Sequence, residues 1–307
     1  MVRPLRPFIA LALVLAACGG SATPGASPGS QGARPNVIVG STNFYEQDTL
    51  GELYAQILEA NGYAVTRRFD LGNREIVFPA LRSGQIDILA EYEATLVQYL
   101  DKNADPTTDK AKAHDVLQKL LDPQRLVALD PAEATDENGF VVTKATADRY
   151  HLKTLSDLAP VAKDLVLGGP PECPQRPFCE IGLKKTYGIT FKDFKPLDAG
   201  GPLTVAALEG KQIDVALLFT SDPSIAAEGF VLLQDDKHLQ QADNIVPVAR
   251  KDLLAKDTSG EITKLLNAIS AKLTQTELTA LNKQVSVDRK DPKAVAAAWL
   301  KKEGLVK

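Results

Sequence analysis

The chain is short of the residues and spacings that most chemistry needs. Its three His, at positions 114, 151 and 238, lie far apart, and no HExxH is present. They read as satisfied or solvated imidazoles rather than metal ligands. No GxSxG elbow and no GxxxxGK[ST] loop occurs, so the signatures of the commonest hydrolase and nucleotide sites are missing. Gly168-Gly169-Pro170 resembles a phosphate turn only weakly, because prolines and not a GxxG follow. Basic residues are not in excess, 35 Lys and Arg against 39 Asp and Glu, which argues against nucleic acid or anionic lipid as a partner. The apolar run Phe8 to Ala17 is too short to span ~30 Å of hydrocarbon as a helix. Nothing in this inventory implies a cofactor.

That run follows Arg3 and Arg6, the anatomy of a signal peptide over residues 1–17. Leu15-Ala16-Ala17-Cys18 resembles the lipobox of bacterial lipoproteins, which implies cleavage before Cys18 and lipidation of its thiol. Buried lipid methylenes contribute about 0.8 kcal/mol each, so the mature chain is expected on the outer face of the cell membrane, held by Cys18. Residues 18–35 are rich in Gly, Ser, Ala and Pro and read as a flexible linker. Losing the two Arg leaves 33 basic against 39 acidic residues, a formal charge of −6. With Cys18 committed, Cys173 and Cys179 form an even pair in an oxidising compartment, and a disulfide closing a small loop is expected. Two free thiols are the alternative; two thiolates with no His nearby make an incomplete metal shell.

What the chain does have is a duplication. Gly84-Gln85-Ile86-Asp87-Ile88-Leu89-Ala90-Glu91-Tyr92 returns 127 residues later as Lys211-Gln212-Ile213-Asp214-Val215-Ala216-Leu217-Leu218-Phe219. Ala80-Leu81 and Ala207-Leu208 precede the two copies, and Val37-Ile38-Val39-Gly40 lies 128 residues before Leu165-Val166-Leu167-Gly168. The apolar runs lack the alternation of a strand with one wet face, so the class is α/β, with two lobes of mainly parallel sheet covered by helices. Lobe one is assigned residues 36–136 plus 244–307, and lobe two 137–243. Two crossovers between them make a hinge. Helices are expected at Asp48–Asn61, Thr95–Lys102, Asp109–Leu121, Glu261–Leu273, Thr276–Gln284 and Pro292–Lys302. No heptads or apolar surface helix appear, so a monomer is expected.

In parallel sheets ligands bind outside the carboxyl ends of strands, where Tyr92 and Phe219 fall. Thr42 and Asn43, ahead of the first helix, read either as caps or as binding groups for an anion. Asp87, Glu91 and Glu93 cluster near Tyr92; they read as strand-end or rim charges, with acid/base work in an exported enzyme as the distant alternative.

Together, Val39 to Gln47, Gly84 to Thr95, Arg176 with Gly182-Leu183 and Tyr187-Gly188, Phe219-Thr220-Ser221-Asp222 and Asp235-Asp236-Lys237 carry a family likeness. The chain resembles the substrate-binding proteins of ABC importers for glycine betaine, choline, carnitine and related osmoprotectants. The resemblance implies a two-lobe periplasmic-binding-protein-like fold of type II, ABC permease subunits as partners, and a tyrosine cage around a quaternary ammonium. Carried over by position, Tyr92 matches one cage tyrosine, Thr95 a hydroxyl near the ligand carboxylate, Arg176 the carboxylate-binding Arg and Gln47 a polar contact. Phe219, followed by Thr220, stands where another cage tyrosine is usual, and Phe44 or Tyr45 is available to complete the box. The remaining cage positions fall near Asn138 and Asp243, neither aromatic. A carboxylate at Asp243 suits an ammonium with N–H groups or a hydroxyl, so a different polar amine or amino-acid-like solute is the alternative.

Overall fold

Along Ile88-Leu89-Ala90-Glu91-Tyr92 every residue is buried. A strand covered on both faces must send alternate side chains into different layers. Ile88, Ala90 and Tyr92 join Leu50, Leu53 and Ile57 of the helix Tyr45–Ala60, while Leu89 joins Phe78, Leu81 and Leu96 on the other side. The second copy divides in the same way: Val215 and Leu217 pack with Leu158 and Leu183, and Ala216 and Leu218 with Leu208 and Ile213.

A computed structural model describes residues 34–104, 107 and 109–307. The expected signal segment, Cys18 and the linker up to residue 33 lie outside the described residues. The strands are β1 (Val37–Gly40), β2 (Val65–Arg68), β3 (Ile88–Tyr92), β4 (Leu126–Ala128), β5 (Asn138–Val142), β6 (Val166–Gly169), β7 (Asp193–Pro196), β8 (Val215–Phe219), β9 (Val231–Leu232) and β10 (Ile245–Arg250). They form two five-stranded sheets of one topology, β2-β1-β3-β10-β4 and β7-β6-β8-β5-β9. The duplication holds to the register: Val39 lies opposite Ile88, and Leu167 opposite Val215. In each sheet four strands share a direction, while the strand arriving from the other lobe, β10 or β5, runs against its two neighbours. Both sheets are therefore mixed, with a single reversed strand.

The repeated Gln-Ile-Asp has a structural purpose in both copies. Asp87 Oδ2 accepts the Ile38 N–H at 3.0 Å, and Asp214 Oδ2 accepts the Val166 N–H at 2.9 Å. Ile86 and Ile213 pack over the glycines of the neighbouring strands; a Cβ on Gly40 would come within 2.4 Å of Ile86, and one on Gly168 within 2.6 Å of Ile213.

Helices fill the outer layers close to their expected positions. Asp109 caps the helix Lys110–Leu121 through the Ala111 and Lys112 N–H groups, and Pro292–Lys302 has the expected bounds. The helix expected from Thr95 runs over Glu93–Leu100. Ile262, Leu266, Trp299 and Leu300 of the C-terminal helices share the core of the helix Tyr45–Ala60. The chain crosses between sheets twice, after β4 and after β9. The crossings touch each other: Thr135 bridges Asn244, and the Asp136 N–H donates to the Asp243 carbonyl at 3.2 Å.

Replacing Asp87 or Asp214 with Ala leaves a strand N–H without its acceptor. Each substitution is expected to lower stability by about 1–3 kcal/mol in urea unfolding, and an unchanged midpoint would assign the motif no stabilising part.

Candidate functional site

Tyr92 and Phe219 end β3 and β8 and lie opposite Ile245 and Asn138 of the crossing strands. Two connected spaces open beyond them. The inner one, about 110 Å³, is lined by Thr42, Asn43, Phe44, Gln47, Tyr92 and Asp243, among others. The outer one, about 370 Å³, is lined by Tyr99, Phe178, Leu217 and the Cys173–Cys179 loop. Thr95, Asn138, Glu172, Arg176, Ala199 and Phe219 border both, so the two make one cleft with wall residues from both lobes.

The first helix shapes the inner space. It begins at Tyr45, three residues earlier than expected, with Phe44 at its N-cap and no side-chain cap. Thr42 and Asn43 therefore line the cleft without capping. Phe44 sets its ring 5.0 Å from that of Phe219. Gln47 is buried, and neither atom of its amide has a hydrogen-bond partner. Buried polar groups are nearly always paired, so an orphan amide in a cleft wall is a group positioned for a ligand or a water.

Glu46, fully buried, accepts hydrogen bonds from the Tyr92 hydroxyl at 2.6 Å, Ser221 Oγ at 2.8 Å and Asn282 Nδ2 at 2.5 Å. Burial raises its carboxyl above the ordinary range, against the pull of those three bonds. The Tyr92 hydroxyl is thus occupied, and its ring is what remains for a ligand.

Two expected site residues stand elsewhere. Tyr45, one turn position away from Phe44, lines a separate cavity of about 130 Å³ with Asp222 and Arg289. Thr220 is turned into the hinge: its N–H donates to the Glu137 carbonyl at 2.9 Å and its hydroxyl accepts the Glu137 N–H at 3.0 Å.

The charges around the cleft are only partly matched. Arg74 contacts both Glu91 oxygens, with Nη2 to Oε2 at 2.7 Å, and donates to the Thr95 hydroxyl at 2.9 Å. Asp243 Oδ1 accepts the Thr95 N–H at 3.0 Å, and burial pushes its carboxyl up to about 7. Asp136 accepts the Ser221 N–H at 3.0 Å; burial first, and then Glu46, raises it well above the ordinary range. Arg176 is not free, since its Nη2 reaches Glu75 of the facing lobe at 2.9 Å, but its Nε is buried without a partner. Asn138 Nδ2 donates to the Phe178 carbonyl at 3.0 Å. Cys173 and Cys179 are joined in a disulfide, as expected.

The carboxylates at 87–93 do not face one another as a pair. Asp87 holds the Ile38 N–H, Glu91 holds Arg74, and Glu93 accepts from or shares a proton with His114 Nδ1 at 2.6 Å. That contact raises the His114 pKa.

Residues 35–302 match the family model described as the substrate binding domain of ABC-type glycine betaine transport systems. The chain belongs to this family. It is accordingly the substrate-binding component of an ABC-type transport system, with the two-lobe fold of such proteins. A relative in Pseudomonas aeruginosa named glycine-betaine-binding protein is 29% identical over 87% of this chain and 88% of its own. The Helicobacter pylori protein named ergothioneine transport permease/ergothioneine binding protein EgtU is 27% identical over 88% of this chain but 48% of its own. Among solved structures, one described as a glycine betaine/carnitine/choline ABC transporter aligns with a TM-score of 0.68 and 30% identity, covering 88% of this chain and 99% of that one.

Because Asp243 keeps its proton to about pH 7 in the folded chain, the folded state binds more protons than the unfolded one between about pH 4 and about pH 7. This group's contribution to stability therefore declines across that window and is lost once the pH has risen through 7. A cation in the inner space favours the charged form, so affinity for a cationic solute is expected to rise up to roughly tenfold between pH 6 and 8. Titration calorimetry should show that slope, and Asp243→Asn should flatten it.

Proposed function

We propose that the cleft captures a small solute with a methylated ammonium head and hands it to the permease unchanged. The observation that carries this reading is the wall of the inner space, where Phe44, Tyr92 and Phe219 present aromatic rings beside the buried carboxylates of Asp136 and Asp243. Ring faces attract a quaternary ammonium by roughly 0.5–2 kcal/mol each without needing its hydrogen bonds. Arg74, which also lines this space, is neutralised by Glu91 and does not oppose such a head. The names of the Pseudomonas relative and of the aligned structure point to the same solute class. A carboxylate on the solute would meet the unpartnered Nε of Arg176 and the polar edge made by Thr42, Asn43 and Gln47.

A second reading rests on Gln47 and Asp243. An orphan buried amide and a buried carboxylate suit a solute with N–H or O–H groups, which a trimethylammonium head lacks. An enzymatic role draws no support from the acidic stretch, since each of its carboxylates has its own partner.

We also read the chain as an exported monomer held at the outer membrane face through lipidated Cys18, with residues 1–17 removed and residues 18–35 as a tether. Cys18→Ala is expected to release the protein from the membrane fraction into the soluble extracytoplasmic fraction; retention in the membrane would end the lipoprotein reading.

The solute is tested by a thermal-melt screen with glycine betaine, choline, carnitine and unmethylated amino acids. A ligand at about 100 times its Kd adds ~2.7 kcal/mol and raises the melting point by several degrees. A shift with methylated compounds alone supports the first reading, and a shift with unmethylated ones alone supports the second. Under the first, Phe219→Ala should weaken binding roughly 2- to 30-fold.

A further inference from the structure

Single apolar side chains on a surface are ordinary, and one exposed Ile carries no meaning by itself. A repeated one is different. Among the described residues the two most exposed large apolar side chains are Ile76, at 58%, and Leu203, at 64%. They lie 127 residues apart, the offset of the duplicated Gln-Ile-Asp unit, so they hold the same place in the two lobes. Ile76 belongs to the helix Arg74–Ser83 and Leu203 to the helix Pro202–Glu209, each leading into the central strand of its sheet. The core takes Val77, Phe78 and Leu81 from the first helix and Ala207 and Leu208 from the second, which leaves Ile76 and Leu203 outside it. The rest of the outer face differs between the copies, with Glu75 against Pro202, Arg82 against Glu209 and Ser83 against Gly210. An apolar residue that stays where its exposed neighbours differ, with no core to fill, marks a surface that something else covers.

Both helices also start at the boundary between the lobes. Asn73 and Ala199, on the turns that lead into them, line the inner space of the cleft. Glu75, next to Ile76, pairs with Arg176 of the other lobe at 2.9 Å, and Pro202, next to Leu203, lines a cavity shared with Tyr45 of lobe one. The two side chains therefore flank the cleft from opposite lobes, and their spacing follows how far the lobes have closed. A groove of about 520 Å³ lies against Ile76, between Leu71, Pro79 and Gln85, and gives an inserted loop a seat.

We propose that Ile76 and Leu203 are paired anchors on which the permease subunits of the importer seat, one subunit to each lobe. Two like anchors related by the duplication fit a partner that is itself built from two like halves. A partner holding both must reach from lobe to lobe across the cleft that the solute leaves. Because the spacing of the anchors changes as the lobes close, such a partner distinguishes the closed molecule from the open one. The proposal rests on the hand-over to the permease and not on the identity of the solute.

The test measures docking of the full chain to its own importer, permease and ATPase subunits together in lipid nanodiscs, by surface plasmon resonance. The variants are Ile76→Asp, Leu203→Asp, the two combined, and Ile181→Asp, which alters an exposed apolar residue outside these helices. Each of the first two is expected to weaken docking at least tenfold, as the loss of a buried apolar anchor does, and the combination more than either. The melting point of the free chain should not move, since both sites are on the surface. Unaltered docking of the double variant would overturn the proposal, as would a loss from only one of the two sites or an equal loss from Ile181→Asp. A wild-type dimer in sedimentation that the same variants dissolve would give the surface to a second copy of the chain and overturn it too. If the wild type does not dock at all, the hand-over reading falls and takes the proposal with it.

Discussion

The carboxylate of Glu46 is the point on which the cleft is assembled. A fully buried acid is costly unless its oxygens are well partnered, and its three partners come from three distant parts of the chain. Tyr92 brings the end of the central strand of lobe one, Asn282 a C-terminal helix, and Ser221 the turn after the central strand of lobe two. The bond to Ser221 exists only while the lobes meet. Ser221 also donates its N–H to Asp136 in the first crossing, so the same turn is held from the hinge and from the opposite lobe. Through Glu46 the Tyr92 ring is fixed as a wall, and the position of that wall is tied to how the lobes sit.

Around this point the cleft keeps a deliberate imbalance of charge. Arg74 and Glu91 cancel as a buried bidentate pair, while Asp136 and Asp243 have only N–H and hydroxyl partners. Burial holds both above the ordinary carboxylate range, so each keeps its proton more readily than a surface acid and gives it up when a cation enters. A cation is thus worth more here than at the surface, because the walls are poor in water. Arg176 provides the opposite charge at the other edge of the same space, partly occupied by Glu75 across the cleft.

The sequence made the duplication legible because each Gln-Ile-Asp does two jobs that few other residues could share, packing over a glycine and capping a neighbouring strand. It placed Tyr92 and Phe219 at strand ends for the same reason. The reversal of β5 and β10 was not legible: a strand buried on both faces reads as an apolar run whichever way it points. The start of the first helix was missed because its N-cap is Phe44, which offers no capping oxygen, so Tyr45 to Gln47 looked like the end of a loop. That shift sends Tyr45 to a neighbouring cavity and Gln47 into the cleft. Thr220 looked like a binding residue beside Phe219, but its pairing with Glu137 depends on the course of the crossing, which no local pattern records. Glu46, Arg74 and Asn282 carry no local signal either, since their partners are far away in the chain.

The pairing of β10 with β3 also governs how the molecule can be made. Lobe two is one continuous segment and contains every strand of its sheet. Lobe one cannot finish its sheet until Ile245 reaches Tyr92, after all of lobe two has been synthesised. Until then β3 is an open and mostly apolar edge, a template for pairing with other chains. The long closure makes the completion of lobe one the slow, late event in folding, and it falls after lobe two is already able to form. The chain that binds last in the sheet is thus also the one that ties the two lobes together, so a molecule with a finished first lobe is necessarily a molecule with a finished hinge.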